Sequence, residues 1–91
     1  MKSQKLLTRT LENREELVYQ LISSEAICLR EEERETAYSV LVAHTDGEAV
    51  LESALVYDVS RMEEKGRVLM MRLWENGTEP KNVKDVVSEL L

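Results

Sequence analysis

The chain has 91 residues, 43% of them hydrophobic and 33% charged, with a single cysteine, a single proline and no phenylalanine. These values fit one globular domain with a small, mainly aliphatic core, and they exclude a low-complexity chain and an internal disulfide. A net charge of −6 repels phosphate backbones and gives no counterion-release drive, so nucleic acid is not the expected partner.

Met1 to Arg9 breaks its apolar stretch after Leu6-Leu7. That is too short for a secretory signal, and no later run approaches membrane-spanning length, so a cytoplasmic protein with no membrane contact is expected. Residues 5–29 admit two readings. Leu7, Leu11, Val18, Ile22 and Leu29 fall at helical intervals, and Leu17, Leu21 and Cys28 widen that stripe. Alternatively, 6–11 and 16–23 form a hairpin around Glu12-Asn13-Arg14, with Leu17, Tyr19 and Leu21 on one face and Val18, Gln20 and Ile22 on the other. Periodicity leaves both open. Strand is preferred for 16–23, because Val18-Tyr19-Gln20-Leu21-Ile22 suits a pleated surface and a later hairpin needs a third strand.

Residues 1–60 hold six basic side chains against twelve acids, whereas 61–91 are balanced at six and six. Much of the acidic excess sits in Arg30-Glu31-Glu32-Glu33-Arg34-Glu35, a run expected to be a solvated connection and not a cation or partner site.

Asp46-Gly47 between two apolar-rich stretches predicts a two-residue type I′ hairpin. Thr45 then faces Glu48, Val42 opposes Leu51, Val40 opposes Ser53, and Tyr38 opposes Leu55. Tyr38, Val40, Val42, Leu51, Leu55 and Tyr57 share the face expected to meet helices, continued by Val59. Ala37, Ser39, Leu41 and Ala43, with Val50, Glu52, Ala54 and Val56, make the outer face.

Ser60-Arg61-Met62-Glu63 reads as a capping box that opens a helix. Met62, Leu69, Met70, Leu73 and Trp74 form its stripe, which Gly66 weakens by about 1 kcal/mol relative to alanine. Gly77 is the expected left-handed terminator. Thr78 is expected to cap the next helix, with Pro80 in its first turn. Val83, Val86, Val87, Leu90 and Leu91 then follow the i, i+3, i+4, i+7, i+8 pattern of one buried face. The expected architecture is α+β: an antiparallel sheet of three to four strands over residues 1–59, then two helices over 60–91 packed on one face.

Tyr38-Ser39-Val40, Asp58-Val59-Ser60, Pro80 and Asp85-Val86-Val87-Ser88-Glu89-Leu90-Leu91 resemble a family of short bacterial proteins catalogued as a domain of unknown function. Its members carry a Tyr-Gly-Val-type strand, a segment ending in Asp-Ile-Ser, a helix, and a proline before an Asp-Val-Val-Glu-Asp-Leu-like ending. Val18 to Glu25 is similar to a strand those members carry upstream. Ser39 stands in place of the glycine, and Ser88-Glu89 in place of an acidic pair. The resemblance covers about the last two-thirds of the chain, implies a bacterial source, and brings no activity with it.

Chemistry-bearing residues are sparse. His44 and Cys28 are the only ones of their kinds and belong to different connections, and no Cys-x-x-Cys or His-x-x-x-His spacing occurs. Gly47, Gly66 and Gly77 are too dispersed for a phosphate-binding loop. Met62, Met70, Met71 and Trp74 lie at helical spacing and read as core before they read as a binding surface. No catalytic, cofactor-binding or metal-ligating residue is assigned, no cofactor or small-molecule substrate is implied, and catalysis is not expected. The expected role is a protein-interaction or regulatory module, with a protein partner or a second copy covering a strand edge or the Met70/Trp74 helix surface. The edges look unprotected, since Pro80 lies outside the strands and no lysine falls between Lys5 and Lys65. The alternative is a helix-turn-helix-like nucleic-acid binder presenting Lys81, Asn82, Lys84 and Ser88.

Overall fold

The computed structural model describes residues 2–26 and 35–90. Strands β1 (Lys2–Thr10), β2 (Glu15–Ala26), β3 (Glu35–Asp46) and β4 (Ala49–Ser60) are followed by α1 (Glu63–Glu75), a 3-10 turn (Pro80–Asn82) and α2 (Val83–Leu90). The sheet runs β1-β2-β3-β4 with every neighbour antiparallel, and both helices pack on one of its faces. The fold is the expected α+β arrangement, with four strands.

The strand reading holds for the first segment. A short 3-10 turn at Glu12–Arg14 joins β1 to β2, with Asn13 and Arg14 at positive φ. Leu17, Tyr19 and Leu21 are buried toward the helices, while Val18, Gln20 and Ile22 point the other way and are half-buried. β2 pairs with β1 on one side and, without interruption, with β3 on the other. Cys28, Leu29, residues 30–34 of the charged run, and Leu91 lie outside the described residues.

The β3–β4 hairpin departs from its expected register. Asp46 pairs with Ala49, so the turn residues are Gly47 and Glu48. Positive φ at Gly47 (61°) and not at Glu48 matches a type II′ turn, which needs glycine first, and not type I′. Moving the turn by one residue shifts each β3 partner by two positions, which keeps the faces, and a bulge between His44 and Thr45 adds a third position, which does not. Val42 therefore opposes Ala54, Leu41 opposes Leu55, and Val40 opposes Val56. A one-residue slip reverses every side chain of a strand. Ala54 and Val56 consequently pack on the core, whereas Leu51, Leu55 and Tyr57 are exposed on the opposite face. Glu52, expected outward, shares the helix-side face with His44, its register partner near the exposed hairpin end.

A second irregularity, between Val40/Val56 and Tyr38/Ser60, is centred on Asp58 at φ 56°. Its amide donates to Ser39 Oγ at 3.0 Å, and its carboxylate takes a bidentate bond from Arg61 at 2.8 and 2.9 Å. The bulge resets the alternation, so Val59 returns to the core at 8% exposure. Val59 is buried as expected, although Leu55 and Tyr57 are not.

Ser60 does not cap α1. It is held in the sheet opposite Tyr38, and its hydroxyl bonds the Met62 backbone, 3.0 Å from N and 3.1 Å from O. An N-cap must directly precede the first helical residue, and that position belongs to Met62, which makes no side-chain cap bond. Gly66 is more than a weak point in α1. A Cβ there would stand 3.1 Å from Leu21 Cδ1 and 3.2 Å from Tyr38 Cβ, so the missing side chain lets the helix backbone lie against the sheet. Leu69, Met70 and Leu73 follow it into the core.

The end of α1 is a Schellman closure, as Gly77 predicts: the Gly77 N–H donates to Trp74 O at 3.1 Å and the Thr78 N–H to Leu73 O at 3.0 Å. That closure places Thr78 inside the fold, so it does not cap the next turn; Glu79 flanks Pro80–Asn82 instead, without a side-chain bond. In α2, Val83 and Val87 are buried, and Val86 and Leu90 are partly buried against the same cluster.

Candidate functional site

Twelve-residue strands extend about 40 Å, whereas the thirteen-residue α1 spans about 20 Å, so the helices cover only part of one face. Within that covered part the polar groups are committed to structure. The Tyr19 hydroxyl donates to Thr78 O at 2.9 Å from a fully buried ring. Burial pushes its phenol up to about 12; the Arg9 guanidinium pulls the other way and the Glu79 carboxylate adds to the rise. A phenol kept protonated and bonded to a backbone carbonyl is not poised as a base near neutral pH. Arg9 Nη1 donates to Trp74 O at 2.8 Å and Trp74 Nε1 to Thr8 O at 2.8 Å, so β1 is tied to the end of α1.

His44 Nε2 lies 3.1 Å from Glu15 Oε2, a half-buried pair toward the hairpin ends of the sheet. Cys28, the other singular residue, is outside the described set. Among the described residues no group of three or more His, Cys, Asp or Glu side chains could hold a metal ion.

The helix-free sheet face is different in kind. Alternation and pairing place Leu6, Thr8 and Thr10 of β1 there, with Glu16, Val18, Gln20 and Ile22 of β2. Leu41, Ala43 and Thr45 of β3 join them, as do Val50, Ser53, Leu55 and, by alternation, Tyr57 of β4. Leu6, Val50, Leu51 and Tyr57 are each more than half exposed, and Leu55 is 39% exposed. Of the side chains described on this face, Glu16 is the single charge. In a chain that is 33% charged, a solvated antiparallel face would be expected to carry more.

The sheet edges are better protected than the sequence suggests. β1 is irregular between Ser3 and Lys5, and β4 carries a bulge toward each end, so neither edge offers a long regular ladder. The Met70/Trp74 helix surface is also not available. Met70 is fully buried, and Trp74 packs on the core with its indole bonded to β1. Met62 (54% exposed), Val68 and Met71 are the apolar residues α1 and its approach show to solvent, contrary to the core reading of Met62 and Met71. They line shallow grooves with Leu90, the larger about 570 Å³ and rimmed by Glu64, Lys65 and Arg72. Lys81, Asn82, Lys84 and Ser88 are exposed as expected, but Lys81 and Asn82 lie in the 3-10 turn and not in α2, Asp85 and Glu89 share α2 with Lys84 and Ser88, and Lys81 pairs with Glu79 at 3.2 Å.

No family model, curated protein or solved structure matches this chain. Among the described residues no helix is long and apolar enough to cross a membrane.

Sequence reasoning placed Leu51, Leu55 and Tyr57 in the core, and so missed the face they form. The available signal was the near-equal apolar character of both β4 faces: Ala54 and Val56 fill the inner one as well as Leu55 and Tyr57 fill the outer.

Proposed function

We propose that this chain is a small protein-interaction or regulatory module that acts by association and not by catalysis. The observation that supports the reading is the nearly uncharged, partly apolar sheet face opposite the helices, with Leu55 and Tyr57 exposed on it. An interface core is depleted of charge and enriched in such residues, and it requires no special chemistry. The structural commitment of Tyr19, Arg9 and Trp74 fits the same reading. A lone cysteine, which forms no internal disulfide, fits a cytoplasmic setting.

The test is native mass measurement on the purified chain and on material it captures from cell lysate. A stoichiometric protein complex, with itself or with another protein, lost on Leu55→Lys, is the expected result. A strict monomer that captures no protein overturns the reading. If that monomer retains DNA and releases it steeply with salt, the helix-turn-helix alternative takes its place.

A further inference from the structure

The neutral face also constrains what covers it. We infer that two copies of this chain pack face to face through their helix-free sheet surfaces, as a two-fold homodimer; this rests on the association reading above and supplies its partner.

Charge argues for a second copy. A partner recognised electrostatically would be met by charged side chains, and among the described residues this face presents apolar, hydroxyl and amide groups with Glu16 as its one charge. Its best complement is another neutral sheet face. Two copies of a chain with net charge −6 repel one another, and they repel least where the acids are missing.

Area argues the same way. Three twelve-residue strands of about 40 Å and the nine-residue β1 of about 30 Å, at about 4.8 Å spacing, give a face of roughly 700 Å², near the ~800 Å² each partner contributes to a stable standard interface. Ala37 and Ser39 are already buried within it. Sheets stacked about 10 Å apart, with strand directions within about 30°, interdigitate their facing side chains. Val18, Ile22, Leu41, Leu55 and Tyr57 would do so here, each patch meeting its own copy. The rival homotypic mode, pairing of strand edges, is opposed by the bulges of β1 and β4.

Sedimentation equilibrium of the full chain, from micromolar to about 100 µM, reads the association directly. A dimer is expected. Leu55→Lys and Leu6→Lys should each weaken it at least about a hundredfold, since two-fold symmetry introduces every lysine twice. Both residues are exposed in the isolated chain, so far-UV circular dichroism should be unchanged. Met71→Lys, on the outer side of α1, should leave the dimer intact. Raising NaCl from about 0.05 to about 0.5 M should leave it as tight or tighter, because salt screens only the repulsion. A chain monomeric over the whole range overturns the homodimer. If Leu55→Lys then still abolishes capture of a different protein, the association reading survives; if no protein is captured, both fall. A dimer indifferent to Leu55→Lys and Leu6→Lys, or one that loosens steeply with salt, overturns the assignment to this face.

Discussion

Tyr19→Phe removes one oxygen from a fully buried ring and leaves the Thr78 carbonyl without its donor at 2.9 Å. An unmatched buried acceptor costs about 1–3 kcal/mol. In a domain of this size each kcal/mol moves Tm by about 4–8 °C, so the variant should melt roughly 5–20 °C lower at neutral pH. The phenol adds a pH signature. Its pKa rises on folding from 10.0 to about 12, mainly through burial. Below pH 10 both folded and unfolded chains keep the proton, and the contribution of the tyrosine is complete. Between pH 10 and about 12 the unfolded chain releases the proton while the folded chain retains it. Stability therefore falls as pH rises, by about 2–3 kcal/mol across the window. Phenylalanine has no proton to release, so the advantage of the wild type over Tyr19→Phe should shrink toward zero there. Urea unfolding of both proteins from about pH 8 to about pH 12 measures that difference free of other titrating groups. Equal stabilities at neutral pH would refute the bond, and a difference that stays constant across the alkaline window would refute its coupling to burial.

At Gly66, alanine should forfeit the roughly 1 kcal/mol that it ordinarily gains in a helix, and valine should cost about 1–3 kcal/mol, because the new Cβ meets Leu21 and Tyr38 at 3.1–3.2 Å. A Gly66→Ala melt several degrees above wild type would show that the sheet yields. Val87→Asp places an unpaired carboxylate at a site 3% exposed and should cost several kcal/mol; an unchanged melt would place that face of α2 in solvent.

Much of the architecture was legible in the sequence because its signals act over a few residues. The Leu17/Tyr19/Leu21 alternation marked β2, Gly77 marked the end of α1, and the valine spacing marked α2. Each depends on the period of one element or the backbone needs of one turn. Failures arose where a local signal competed with packing at a distance. Ser60 looks like a cap, yet pairing with Tyr38 keeps it in β4; Gly66 looks like a defect, yet it is the contact that seats α1.

The candidate face shows this most sharply. Alternation and a glycine turn suffice to make residues 37–59 a hairpin with apolar residues on both sides. Which side of β4 meets the helices depends on contacts beyond the hairpin. The turn at Gly47-Glu48 and the bulge near His44 set the register, and the bulge at Asp58, held by Ser39 and Arg61, brings Val59 back beneath them. Side chains alternate with a period of two, so a slip by an odd number of residues (three here) costs little in a hairpin whose faces are both apolar, but it moves Leu51, Leu55 and Tyr57 from the core to the surface.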